Sequence, residues 1–444
     1  MNPTSWQSVS IRRGVRTVVS IALALSLFTV HAPTAAQGGT SDEHWVGTWA
    51  TAVVARPQER SELPEAPPRL DFSNQTLRQI VHVSLGGERI RVVLSNAFGT
   101  APLTVGAAQI ALRADDAAIV PASGHVLTFG GHPATSIAAG AVVFSDPVSL
   151  AVPALTDLAI DLFLPGDTAA STSPLTTHTA AHQTNYVSTA GNHVGESELP
   201  VETTVLSWFF LSRVEVAAPE HVGAIVLLGD SITDGSGTTD DTNNRWPDHL
   251  ARRLNEENIE MGVLNLGIGG NRLLTDGMGT SALARFDRDV LIQSGATHLV
   301  VMEGINDIGM AHNEFGLPRP KRAPTAADLI AAHQQIIERA RAQGLKVYGA
   351  TLTPFEGTAF PNYWTSEGDE TRKAFNEWIR TSQAYDAVID FDAAVRDPDA
   401  PNKINPAYDS GDHLHPADRG YEAMANVLDL ELFKTGTDVA MVGR

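Results

Sequence analysis

The chain has 444 residues, 43% of them hydrophobic, with a formal net charge of −20 at pH 7 and no cysteine. That length accommodates two domains, each with its own core. The acidic balance argues against nucleic acid as a partner, and the missing cysteines exclude disulfides and thiolate chemistry.

In chain order, Arg12, Arg13 and Arg16 precede a mostly apolar run from Val18 to Val30, with small residues at Thr34-Ala35-Ala36. This is the layout of a secretory signal peptide over residues 1–36, with cleavage after Ala36. The run is shorter than the roughly 20 apolar residues of a membrane span, and no basic amphipathic helix is apparent. The expectation is a secreted protein, extracellular or periplasmic, with no stable membrane insertion. Residues 37–43 are small and polar and read as a disordered leader.

From residue 41 to 216 the pattern is β-rich. LRQIVHVSL, ERIRVVLSN, AAQIALRA, AVVFSDPVSLAV and TDLAIDLFLP alternate apolar and polar residues, separated by turn signals such as Leu85-Gly86-Gly87. A β-sandwich or jelly roll is expected. The Ala-, Ser- and Thr-rich text from Thr168 to His182 reads as a long surface loop.

EVAAPEHV, Glu215 to Val222, marks the boundary to a second domain over 222–436. There strands alternate with helices. Strands are expected at 224–228, 262–266, 298–302, 346–352 and 387–391. Helices are expected from Pro247, over 281–292, 325–343 and 369–384, and from 417 to 433. Alternating βα units imply a parallel sheet covered on both faces.

Four polar stations follow strands of that sheet. Gly229-Asp230-Ser231 puts a hydroxyl at a strand's carboxyl end, where open α/β sheets bind ligands. Glycines at Gly267, Gly269 and Gly270 let backbone approach a ligand. Asn306, in Gly304-Ile305-Asn306-Asp307, can donate to an oxyanion without changing charge. Asp412-His413-Leu414-His415-Pro416 supplies a histidine beside a carboxylate, the base that a serine needs. Each station alone is also an ordinary turn, loop cap or surface pair; the information lies in their coincidence.

Together they resemble the SGNH or GDSL hydrolase family. Its blocks correspond to GDSIT around Ser231, GIGGN around Gly270, GIND around Asn306 and DHLH ending in His415. The resemblance covers about residues 222–434; GDSI replaces GDSL. It implies a flavodoxin-like three-layer α/β/α sandwich, with Ser231 as nucleophile, His415 as base and Asp412 as its orienter. It implies an oxyanion hole from the backbone N–H groups of Ser231 and Gly270 and the Asn306 side chain. The β-rich region resembles, more loosely, the front domain of a secreted two-domain subgroup.

The implied activity is hydrolysis of carboxylic esters, on short acyl or acetyl groups and on carbohydrate or lipid, with a small-molecule or polysaccharide ester as substrate and no cofactor. The alternative of another class is a secreted binding protein without catalysis. A metal-dependent hydrolase fits less well: Asp409, Asp412, His413 and His415 cluster, but a third imidazole and HExxH are missing. Candidate substrate contacts are Asn271, Phe355, Tyr363 and Trp364; the aromatic residues, with Phe360, either line an acyl or sugar pocket or pack their loop. Asp234, Asp240 and Asp241 do not have EF-hand spacing and read as a solvated loop. Pro416 fixes the conformation of His415 and suits the first turn of the closing helix, which favours His415 over His413 as the base.

Overall fold

The computed structural model describes residues 43–56, 70–311, 320 and 322–434. The expected signal peptide, its cleavage site and nearly all of the leader lie outside the described residues. Among the described residues, no helix is long and apolar enough to cross a membrane.

The β-rich half is built from two main antiparallel sheets. One runs in the order Val201–Val205, Asn185–Ala190, Gln75–Val83, Thr156–Leu164, Ala107–Leu112, His125–Val126. Its centre is a nine-residue ladder from Thr156 opposite Val83 to Leu164 opposite Gln75. The other sheet runs Trp45–Ala50, Leu211–Ala217, Gly87–Ser95, Val148–Val152, with Val142–Phe144 also on Gly87–Ser95. Alternation sorts each strand's side chains onto two faces. Thus Leu77, Val81 and Val83 join the main core with Ile90, Val92, Val214 and Val216. Ile80 faces the other way, into a small cluster with Ala111, Ala159 and Tyr186. This is a β-sandwich.

One sequence expectation is overturned here. Thr168 to His182 is not a surface loop: Leu175–Thr179 is the middle strand of a third sheet, between Val54–Arg56 and Ser207–Phe209. Leu175, Thr176, Thr177 and His178 are buried. Threonine is β-branched and suits a strand, and here its hydroxyls are satisfied; Thr177 Oγ1 donates to the Trp208 carbonyl at 2.7 Å. Composition alone did not separate this from a polar loop.

The second half holds five parallel strands, β1 (Gly223–Gly229), β2 (Met261–Gly267), β3 (Ala296–Met302), β4 (Lys346–Ala350) and β5 (Ala387–Ile389), in the order β2-β1-β3-β4-β5. The β1 strand is buried throughout, as expected for a sheet covered on both faces. Helix Trp246–Glu256 packs with Asp418–Asn426, and Ala326–Ala342 with Ser366–Thr381. The 326–342 helix opens on a capping box, Thr325 with Asp328. This is the flavodoxin-like three-layer α/β/α order, and strand sequence reverses between β1 and β3. The closing helix is shorter than expected and starts at Asp418, so Pro416 lies just outside it. Strand β5 stops at Ile389 because Asp390 caps the helix Phe391–Val395.

From Glu43 onward the two halves form one compact body. Gly47 N–H donates to the Ser294 carbonyl at 2.9 Å, and Val263 N–H to Ser84 Oγ at 2.8 Å. A Cβ at Gly262 would stand 2.0 Å from the Gly47 carbonyl oxygen, so only glycine permits this approach of the two backbones.

Candidate active site

Strand β1 delivers the chain to Asp230, which caps the one-turn helix Ser231–Asp234 by accepting from Ile232 N–H at 2.9 Å. Ser231 is therefore a first-turn residue, and its N–H has no intrahelical acceptor. Its Oγ lies 2.8 Å from His415 Nε2. His415 Nδ1 lies 2.6 Å from Asp412 Oδ2. The other oxygen, Asp412 Oδ1, accepts the backbone N–H groups of His415 at 2.8 Å and Leu414 at 2.9 Å. A ring that donates from Nδ1 to a carboxylate presents Nε2 as an acceptor to the serine hydroxyl.

Burial alone would raise the Asp412 pKa. Hydrogen bonding and charge from His415, with the two N–H groups, instead hold it well below the usual carboxylate range. His413 goes elsewhere: its ring bonds Asp409, and its side chain is 53% exposed. The residue that the sequence places next to Asp412 thus pairs with a different carboxylate.

Asn306 follows β3 in the helix Ile305–Gly309, across the strand-order reversal from Ser231. Its Oδ1 accepts from the Tyr363 hydroxyl at 2.8 Å, which fixes the amide's orientation. Its Nδ2 is buried and has no partner. Burial first, and then nearby carboxylates, push the Tyr363 pKa well above 10, so this hydroxyl remains a donor. Gly270 follows β2 with φ of +69°, a left-handed conformation that also leaves no room for a Cβ beside Met278. Ser231, Gly270, Asn306 and His415 line one cleft of about 360 Å³, with Met278, Met310, Phe360, Tyr363 and Leu414 as its apolar wall. Phe360 stands edge-on to the His415 ring, centroids 6.2 Å apart.

Of the expected substrate contacts, only Tyr363 reaches this cleft. Asn271 is fully buried, donating to the Thr280 carbonyl and accepting from Arg285 Nε. Phe355 is fully buried and packs edge-on against Tyr363. Trp364 is half-buried and not on the cleft wall. Asn271 and Phe355 thus pack into the core rather than line the opening. Asp234, read as part of a solvated loop, is 2% exposed. Among the described residues, no group of three or more His, Cys, Asp or Glu side chains is placed to hold a metal ion.

Sequence reasoning missed the buried scaffold below. Arg285 is completely buried and donates to the carbonyls of Gly229 at 3.0 Å and Leu266 at 2.8 Å, tying the ends of β1 and β2 together. Three acids lie nearby. Burial pushes the Asp230 pKa up to about 7, against the Ile232 N–H and the His415 charge. Burial and the Asp230 charge push Glu303 well above its ordinary value. Burial raises Asp307 to about 6, against the N–H groups of Leu273 and Leu274. No spacing rule connects Arg285 to these residues, which converge only through the sheet.

A hydroxyl, an imidazole and a carboxylate thus stand in sequence at the carboxyl edge of a doubly wound α/β/α sheet, the arrangement that serine hydrolases use. Residues 227–423 match the model of the GDSL-like Lipase/Acylhydrolase family. Those residues form a GDSL-like lipase/acylhydrolase domain, and the protein is a carboxylic ester hydrolase. No curated protein matches it. Solved structures similar to it include a G-D-S-L family lipolytic protein from Desulfitobacterium hafniense, with 23% identity, 46% of this chain and 99% of that one covered, and TM-score 0.34. A lipase/acylhydrolase from Enterococcus faecalis has 21% identity, 48% and 95% coverage, and TM-score 0.36. An acetyl xylan esterase from Geobacillus stearothermophilus has 20% identity, 48% and 97% coverage, and TM-score 0.36.

Proposed function

We propose that the protein is a secreted serine esterase acting on short-chain acyl or acetyl esters through a covalent acyl-enzyme. Ser231 Oγ attacks the ester carbonyl while His415 Nε2 takes its proton, and Asp412 holds the ring's tautomer and balances the charge that forms. The oxyanion is met by the N–H groups of Ser231 and Gly270 and by Asn306 Nδ2. His415 then protonates the leaving alcohol, and a water molecule repeats the steps to release the acid. No step calls for a metal or organic cofactor.

The observation that carries this reading is the buried, unpartnered Asn306 Nδ2, aimed by Tyr363, in the same cleft as the Ser231–His415–Asp412 chain. A buried donor without a partner is costly, and a developing oxyanion would satisfy it. The cleft lies at the small end of the roughly 300–1,000 Å³ typical of small-ligand sites, and its methionine and aromatic wall suits a short acyl chain. The alcohol part, whether carbohydrate, lipid or a simpler group, extends beyond that wall. Export rests on the arrangement of residues 1–36.

The test is an ester panel on the protein lacking residues 1–36, comparing acetyl, butyryl and longer acyl esters and acetylated xylan. Activity should peak at two to four acyl carbons and disappear in Ser231→Ala; a maximum at long chains would instead assign the cleft to lipid esters. Amino-terminal sequencing of the exported protein should begin at Gln37.

A further inference from the structure

The geometry points to His178, a residue of the β-rich half, as a positioning residue for the oxyanion site, acting through Asp234 on the Gly269–Gly270 backbone. This rests on the esterase reading above. His178 lies on the strand Leu175–Thr179 and is 3% exposed. Its Nε2 is 2.9 Å from Asp234 Oδ1, and its Nδ1 is 2.7 Å from the Ala52 carbonyl. Both neighbours are acceptors, so both ring nitrogens must carry a proton. Burial alone would lower the ring's pKa; the Asp234 charge and hydrogen bond, with the Ala52 carbonyl, raise it above its ordinary value, against Arg245.

Asp234 joins two parts of the site. It ends the one-turn helix that begins at Ser231. Its Oδ2 accepts Gly269 N–H at 3.0 Å. The next residue is Gly270, whose N–H the proposed mechanism uses. One carboxylate thus sets the oxyanion loop against the nucleophile's turn, and an imidazolium from the other half of the protein holds that carboxylate. Trp208 packs on the His178 ring, centroids 5.6 Å apart, and Arg245 is engaged by Asp248 through two hydrogen bonds, leaving Asp234 to His178. An oxyanion donor acts chiefly in the transition state, so its misplacement lowers kcat more than it raises KM.

The experiment is a double-mutant cycle on kcat and KM for one acetyl ester, each variant first shown to be folded by circular dichroism. His178→Ala and Asp234→Ala should each lower kcat about 10-fold or more with little change in KM, and the double variant should be no worse than Asp234→Ala alone. Asp234→Asn should rescue most of kcat: its oxygen can accept from Gly269, and its amide can donate to a neutral His178. Multiplying losses, a loss confined to KM, or wild-type kcat in His178→Ala would overturn the proposal. If His178→Ala does not fold, His178→Phe is combined with Asp234→Asn, which leaves no unpaired charge; kcat equal to that of Asp234→Asn alone would then overturn it. Failure of the esterase reading looks different, because Ser231→Ala would keep activity.

Discussion

At the scale of single residues, Ser231, His415 and Asp412, the proposed nucleophile, base and orienting acid, could be singled out because each sits beside a turn signal near the end of a βα unit, and their side chains lie within hydrogen-bond distance of one another in sequence. Their roles make separate predictions. Ser231→Ala should lower kcat by about 10³-fold or more while unfolding at an unchanged temperature. Asn306→Ala should cost about 10²–10³ in kcat with a smaller change in KM. Tyr363→Phe should give a lesser loss of the same kind, since it only frees the amide that the hydroxyl now orients; an unchanged kcat there would show that Asn306 needs no such support. Between the two histidines, His415→Ala should abolish most turnover, whereas His413→Ala, with a half-exposed ring on Asp409, should cost little. Pro416, expected in the first turn of the closing helix, lies outside it, since that helix begins two residues later. Arg285 and His178 were not legible, because their partners are brought together by strands far apart in sequence.

At the scale of elements, all five strands of the parallel sheet were readable from short apolar runs; in β1, β2 and β3, burial on both faces leaves little room for polar residues. The front sheets were readable from alternation. What failed was the strand Leu175–Thr179, whose two faces are both buried but whose residues are mostly threonine. That strand bears His178, so the misread loop is the one that bonds Asp234, at the end of the turn that begins with Ser231. Limited proteolysis should accordingly release no stable, active fragment beginning near His221, because Gly47, Ser84 and His178 all bond residues of the second half. Recovery of such a fragment with full kcat would show that the halves are independent.

At the scale of the whole molecule, buried histidines set part of the acid limit. Burial pushes the pKa of His298 and His333 down to about 4. In the unfolded chain an imidazole titrates near 6.5, so between about 6.5 and 4 the unfolded state binds more protons and stability falls with pH. Asp230 and Asp307, raised to about 7 and about 6, act in the opposite direction: the folded state holds their protons longer, and stability falls as pH rises through that range. Replacing His298, which packs against Tyr348 and Phe433, isolates one contribution. The fall in Tm between pH 7 and pH 4.5 should be smaller in His298→Phe than in the parent, and an equal fall would show that His298 takes up its proton within the fold.

The sheet that pairs Trp45 with Ala217 also sets a timetable for synthesis. The first strand of the sandwich has its neighbour only after the last strand of the front half has been made. Its Gly47 then waits longer still, for Ser294, to complete the seam. Closing so long a loop costs little extra free energy at equilibrium, but it delays the contact. The front half therefore cannot finish folding as it leaves the ribosome, and its earliest strand remains an open edge until most of the chain exists. A protein joined in this way is completed late and as a unit, with its hydrolytic cleft among the last parts to be assembled.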